Sequence, residues 1–227
     1  MSRQEEDYIQ DMAGRIGIDL SAGQINQLAI YICELWEWNR KINLTGLSSR
    51  KQIITELVLD SLICAQFMPD SGRLLDIGSG AGFPALPLKI KRPDLETSLV
   101  EPRHKRANFL RHIIRILRLD GISITRGRIE QSCQKLNRHG YQAVTARALA
   151  PLPTVLDWAS PWIAEHGSII NFQGADFKDV LKQSSDILKR HGLYLDRCVP
   201  YLLPYKTVVR HILIFRRKRG LSDTCHL

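Results

Sequence analysis

Leu74-Leu75-Asp76-Ile77-Gly78-Ser79-Gly80-Ala81-Gly82-Phe83-Pro84 is an apolar run that breaks into three glycines at alternate positions and ends on a proline. Apolar residues up to Ile77 predict a buried strand, and Pro84 suits the first turn of a helix, so the stretch reads as strand, glycine turn, helix. Glycines at such a turn let the backbone approach a ligand closely. The free N–H groups of the helix that follows favour a nucleotide-like molecule. A dinucleotide fingerprint places its third glycine where this chain has Phe83, so the tighter G-x-G-x-G spacing disfavours a pyrophosphate.

On the C-terminal side the alternation continues. Strands are predicted over 74–77, 97–101, 122–125, 143–146 and 168–172, with helices from Pro84, over 103–119, within 152–165 and within 176–190. That order specifies a parallel, doubly wound sheet. The last two strands, 193–203 and 208–215, are joined by only four residues, and so short a link implies an antiparallel hairpin. A parallel nucleotide-binding sheet that ends in a hairpin is the arrangement of class I methyltransferases, and the glycine spacing resembles S-adenosylmethionine loops. The expected fold is therefore α/β, a Rossmann-like, mostly parallel sheet with a terminal antiparallel hairpin. On the N-terminal side the rhythm is helical. Ser21 and Gln24 form a candidate capping box, Ile25, Leu28, Ala29, Ile32, Cys33 and Trp36 recur at helical spacing, and a second helix is predicted over 52–67. Pro69 to Gly72 marks the boundary, giving a helical extension at 1–70 packed on a methyltransferase domain at 71–219, with a tail at 220–227.

A chain of 227 residues, 44% hydrophobic and 24% charged, can bury a sizeable core, which excludes a disulfide-stapled miniprotein, collagen and wholesale disorder. Its 32 Lys and Arg against 23 Asp and Glu leave a net charge of +9. Such an excess favours an anionic partner and is silent about fold. Cys33, Cys64, Cys133, Cys198 and Cys225 are odd in number and widely spaced, without a C-x-x-C or Cys/His grouping, which points to a reducing compartment. The start MSRQEEDYIQ is polar, and no apolar run reaches the ~18 residues a bilayer span needs. A cytosolic, monomeric protein without membrane contact is expected.

Several residues beyond the glycine loop are candidates for chemistry. Glu101 closes the second strand 21 residues after Gly80, where a carboxylate can accept hydrogen bonds from both ribose hydroxyls of an adenosine. In isolation it reads equally as an exposed strand-end acid. Arg126-Gly127-Arg128-Ile129-Glu130 follows the third strand and opens a helix in this reading, where a backbone N–H and the Glu130 carboxylate could match an adenine, though Glu130 reads nearly as well as an ordinary helix-start acid. Arg147, between Ala146 and Ala148, ends the fourth strand and could bind the methionine carboxylate, a phosphate or a target base. Arg103, Lys105, Arg106, Arg111, Arg115 and Arg118 share one helix free of acids, and Arg216-Arg217-Lys218-Arg219 forms a second basic cluster. Both suit a phosphate backbone. Trp36, Trp38, Trp158 and Trp162 read mainly as core, with Trp38 at a helix end. No zinc or other metal site and no acyl-enzyme motif are found.

Trp38-Asn39, Asn43-Leu44-Thr45, Leu59-Asp60-Ser61, the glycine loop through Pro84, Arg128-Ile129-Glu130 and Ala146-Arg147-Ala148 resemble, in order and spacing, the RsmG (glucose-inhibited division protein B) family, from about residue 20 to 216. The resemblance implies an S-adenosylmethionine-dependent enzyme that methylates N7 of a guanine in small-subunit (16S) ribosomal RNA, with that RNA or a ribosomal particle as partner. Carried over by motif, its cofactor contacts fall on Gly78, Phe83, Ile129, Glu130 and Arg147. Gly80 and Glu101 complete the expected cofactor set, and Arg147 is also the candidate for the substrate. The chain departs from the family pattern at Glu56 and Leu57, where an Arg-His pair is common, and at Gln173, where Leu-Lys-Gly is common. The competing readings are a methyltransferase with another acceptor, a non-catalytic RNA-binding or assembly protein with a cofactor pocket, and last a nicotinamide oxidoreductase.

Overall fold

The computed structural model describes residues 3–131, 136 and 140–218. Cys133, Cys225 and Arg219 lie outside the described residues. Seven strands form one sheet in the order β3-β2-β1-β4-β5-β7-β6. They are β1 Gly72–Ile77, β2 Leu95–Val100, β3 Ile122–Thr125, β4 Tyr141–Ala146, β5 Ile163–Gln173, β6 Leu193–Tyr201 and β7 Arg210–Arg217. β1 to β5 are parallel, and β7 runs antiparallel between β5 and β6. The mostly parallel sheet and its terminal hairpin are those the sequence predicts. The order reverses beside β1, which is the switch point where α/β sheets open a crevice at their carboxyl ends.

Helices cover both faces. They are α1 Arg3–Arg15, α2 Ala22–Ile42, α3 Arg50–Ile53, α4 Asp60–Ile63, α5 Ala85–Lys91, α6 His104–Leu117, α7 Leu152–Ala159, α8 Phe177–Gln183 and α9 Ser185–Arg190. Side chains alternate across each strand, so Leu74, Ile170 and Ile212 join a core with α1, α2, α5 and α6, while Leu75, Ile169 and Leu213 join a second core with α7 to α9. The N-terminal helices thus share their hydrophobic core with one face of the sheet.

Local differences from the expectation have physical causes. The capping box forms: Ser21 Oγ accepts from the Gln24 N–H at 3.2 Å, and Gln24 Oε1 accepts from the Ser21 N–H at 3.0 Å. The buried stripe of α2 is nevertheless rotated toward Tyr31 and Leu35, leaving Cys33 and Trp36 partly exposed, because α2 packs on α5 and α6 at once. α1 was legible only as a polar start, yet it buries Ile9, Met12 and Ala13 at helical spacing. The predicted helix over 52–67 is broken. α3 gives way to a π-helical turn at Ile54–Leu59, then α4, then a 3₁₀ turn at Cys64–Phe67. After α7 a 3₁₀ turn at Ser160–Trp162 ends the helix and the strand starts at Ile163, short of the expected helix limit at 165. Trp162 is core, and Trp38, inside α2 and not at its end, packs edge-on to Phe109 with ring centres 5.5 Å apart. Cys33, Cys64 and Cys198 are free thiols, and burial pushes the Cys64 thiol far above its ordinary range.

Candidate functional site

At the carboxyl end of β1 the chain turns back on itself through Gly78 to Gly82. The N–H groups of Gly78 and Ser79 donate to the Val100 carbonyl at 2.8 and 3.1 Å, which ties the turn to β2. Gly78 and Gly82 have φ of +72° and +98°, conformations that side chains resist. A Cβ on Gly82 would also lie 2.4 Å from Leu86 Cδ1 and 2.9 Å from the Tyr31 hydroxyl. Gly82→Ala is therefore expected to cost about 2–4 kcal/mol of stability, strain and overpacking together, as a shift in the urea midpoint. An unchanged midpoint would show that the loop can relax around a methyl group. Tyr31, which the sequence reading passed over, donates its hydroxyl to the Ala81 carbonyl and stacks on Phe83 with ring centres 5.2 Å apart. Its signal was present in the i, i+3 and i+4 spacing from Leu28 to Leu35.

Glu101 is buried, 2% exposed, which excludes the exposed strand-end reading. Its Oε2 accepts from the Gly80 N–H and its Oε1 from the Arg103 N–H, both at 2.8 Å. One carboxylate thus fastens the glycine loop to the start of α6, and each oxygen keeps a lone pair for a further donor. Ile129 and Glu130 lie on a 3₁₀ turn, Ile129–Gln131, and the helix expected to open here would run on into positions outside the described residues. With Val100 and Trp158 they line a pocket of about 190 Å³.

Gly78, Gly80, Phe83, Glu101 and Arg147 line one cleft of about 630 Å³, within the ~300–1,000 Å³ typical of small-molecule sites. The smaller pocket of Ile129 and Glu130 adjoins it through the shared Gly78, Pro102, Arg128 and Leu149. All seven sequence-predicted residues therefore come together at one end of the sheet. The Asn39-to-Thr45 segment reaches the same place because Asn39 Oδ1 accepts from the N–H groups of Leu44 and Thr45 at 2.6 and 2.7 Å. Leu44 and Thr45 then form part of the cleft wall.

Charged groups in and beneath the cleft include Asp76, to which the sequence reading gave no role. Asp76 is buried, and its Oδ1 accepts from the Thr145 hydroxyl at 2.7 Å while Oδ2 has no hydrogen-bond partner. Burial pushes its carboxyl up to about 7 against the opposing hydrogen bond from Thr145. Arg147 Nη2 donates to the Glu56 carbonyl at 2.7 Å and pairs with Asp60 Oδ2 at 3.1 Å, while its Nη1 is buried without a partner. The guanidinium also lies 5.9 Å from the Phe172 ring centre. Glu56, in turn, pairs with Lys206 at 2.8 Å.

The basic helix face is exposed where it leaves the cleft: Arg103 and Arg106 line the cleft, and Arg111, Arg115 and Arg118 lie in solvent farther along. The C-terminal cluster is elsewhere. Because β7 is antiparallel to β5, Arg216 and Arg217 fall at the opposite end of the strands from the cleft, where Arg216 pairs with Asp196 at 3.0 Å and Arg217 donates to the Ser160 carbonyl at 2.9 Å. Among the described residues no group of three or more His, Cys, Asp or Glu could hold a metal, and no helix is long and apolar enough to cross a membrane.

A family model described as rRNA small subunit methyltransferase G matches residues 24–199. The chain belongs to this methyltransferase G family. A relative in Roseiflexus sp. (strain RS-1) named ribosomal RNA small subunit methyltransferase G is 38% identical over 87% of this chain and 86% of its own length. One of the same name in Syntrophotalea carbinolica is 32% identical over 95% and 99%. Among solved structures, M. jannaschii TYW2 in complex with AdoMet superposes with a TM-score of 0.60 at 13% identity, covering 77% of this chain and 79% of that one. The precorrin-6y C5,15-methyltransferase of Geobacter metallireducens reaches 0.56 at 14%, covering 77% and 92%. At such identities these structures establish the shared fold. The methyltransferase G relatives establish the family.

Proposed function

We propose that the chain transfers a methyl group from S-adenosylmethionine to N7 of a guanine in small-subunit ribosomal RNA. The observation that carries the proposal is the convergence of the glycine loop, Glu101 and Arg147 on one cleft in a chain of the methyltransferase G family. The residues present fit the cofactor. Glu101 has lone pairs to spare for a ribose diol, the Ile129–Glu130 pocket offers an apolar wall beside a carboxylate for an adenine, and the unpartnered Asp76 Oδ2 and Arg147 Nη1 suit the ammonium and carboxylate of a methionine group. The helices through residue 70 are proposed as an extension of a methyltransferase domain at 71–219, with 220–227 as tail, in a protein that acts as a cytoplasmic monomer.

When bound, the cofactor supplies an electrophilic methyl that guanine N7 takes with its own lone pair, so no proton has to leave and no general base is required. What the chain must supply is placement, holding the acceptor in line and close to the methyl carbon. Arg103 and Arg106 at the cleft mouth place positive charge where an RNA phosphate would lie. N7 faces the deep groove of A-form RNA, which side chains cannot enter, so the target guanine belongs to a loop or is turned out of its stack. The test is transfer of labelled methyl to small-subunit particles from cells lacking the modification, with 7-methylguanine mapped by aniline cleavage. A single mapped site is expected. Cofactor binding without incorporation into particles or naked RNA would overturn the RNA acceptor and favour another one.

A further inference from the structure

Arg147 is a cleft residue whose cation is anchored from the N-terminal helices, and the anchor is itself held by the terminal hairpin. Asp60 is 1% exposed, accepts two hydrogen bonds and makes an ion pair with Arg147. Its Oδ1 accepts from the Tyr201 hydroxyl at 2.6 Å and from Arg210 Nη1 at 3.0 Å, leaving Oδ2 to Arg147 Nη2 at 3.1 Å. A carboxylate with one oxygen saturated by two donors cannot swing, so its second oxygen presents a fixed acceptor. The Glu56 carbonyl, 2.7 Å from the same Nη2, fixes the guanidinium from a second direction. Burial and the Asp60 charge push the Tyr201 phenol well above its ordinary range, so it stays a donor at any physiological pH. Arg147 is thereby held with Nη2 committed to the protein and Nη1 uncommitted.

We infer that Asp60, locked by Tyr201 and Arg210, is a positioning residue that orients Arg147 for the cofactor, on the reading that the cleft takes S-adenosylmethionine. Asp60 touches no reacting atom; it acts through Arg147. The hairpin β6–β7, at the edge of the sheet farthest from the glycine loop, thus contributes to cofactor affinity without reaching the cleft itself.

A double-mutant cycle on cofactor affinity tests this. Asp60→Asn keeps an oxygen for Tyr201 and Arg210 but turns an amide N–H toward Arg147. Titration calorimetry with S-adenosylmethionine is expected to show about tenfold weaker binding, the value of one charged hydrogen bond. In an Arg147→Ala background the same Asp60 change is expected to have no further effect on Kd. Thermal midpoints without ligand are taken in parallel, since a purely structural role would lower them in both backgrounds and leave the Kd of the folded protein unchanged. Equal losses of affinity in both backgrounds, or none in the wild-type background, would overturn the inference. If Asp60→Asn does not fold by circular dichroism, Tyr201→Phe replaces it in the same cycle, with about threefold weakening expected only where Arg147 is present. Absence of binding by the wild-type chain would instead overturn the cofactor proposal.

Discussion

Replacing Arg147 by alanine is expected to lower kcat/KM for methyl transfer by about 100-fold or more while leaving the protein folded. The magnitude follows from the loss of charged hydrogen bonds, each worth about 1.5–3 kcal/mol. The fold should survive because Asp60 keeps Tyr201 and Arg210 as partners, so its buried charge is not abandoned. Steady-state transfer to RNA, with cofactor and RNA varied separately, checks the activity. Ligand-induced stabilisation checks the cause: a saturable rise in Tm with S-adenosylmethionine in the wild type, much reduced in the variant, places the loss at the cofactor. Full transfer by Arg147→Ala would remove this residue from the site.

The second large effect concerns stability. Asp76 titrates near 3.9 in an unfolded chain but at about 7 when folded, because burial penalises its charge. Between those values the folded protein holds a proton that the unfolded chain has released. The stabilisation is complete below about pH 4 and is lost as pH rises to about 7, with a total span on the order of 4 kcal/mol. Asp76→Asn removes the titration and keeps an oxygen for Thr145. The variant is therefore expected to be more stable than the wild type at pH 8, with the difference shrinking by about 2–3 kcal/mol when the comparison is made at pH 5. Urea unfolding at the two pH values reads it directly, and parallel pH profiles for the two proteins would refute the buried-charge account. Cofactor affinity is expected to fall in the same variant, since the uncommitted Oδ2 is the atom proposed for the ammonium. A gain in stability with a loss of binding is what a strained functional group produces.

Much of this site was legible because its parts carry local signals. The glycine spacing, the acid at the end of β2 and the arginine between two alanines at the end of β4 are each recognisable within a few residues, and the strand pattern brings their ends together. Asp60 with Tyr201 and Arg210 had no such signal. These pairs are separated by 141 and 150 residues, and no periodicity relates a carboxylate near the start of the chain to a hydroxyl and a guanidinium near its end. The basic clusters show the opposite failure. Composition rightly marks both as cationic, but only the topology reveals that Arg216 and Arg217 lie at the end of the strands away from the cleft and are engaged with the protein itself. The broken helix over 50–67 was smoothed into one by its apolar spacing, since a π turn alters hydrogen bonding without altering hydrophobicity.

That π turn sets what can be cut or inserted between the residues flanking it. An α-helix turns by about 100° per residue and a π turn by less, so the length of the Ile54–Leu59 stretch fixes the bearing of Asp60 relative to Arg50 as surely as any side chain does. Removing a single residue there would leave the glycine loop, Glu101 and Arg147 itself in the chain and swing the anchor of Arg147 away from it. In this part of the molecule, the count of residues is itself a functional quantity.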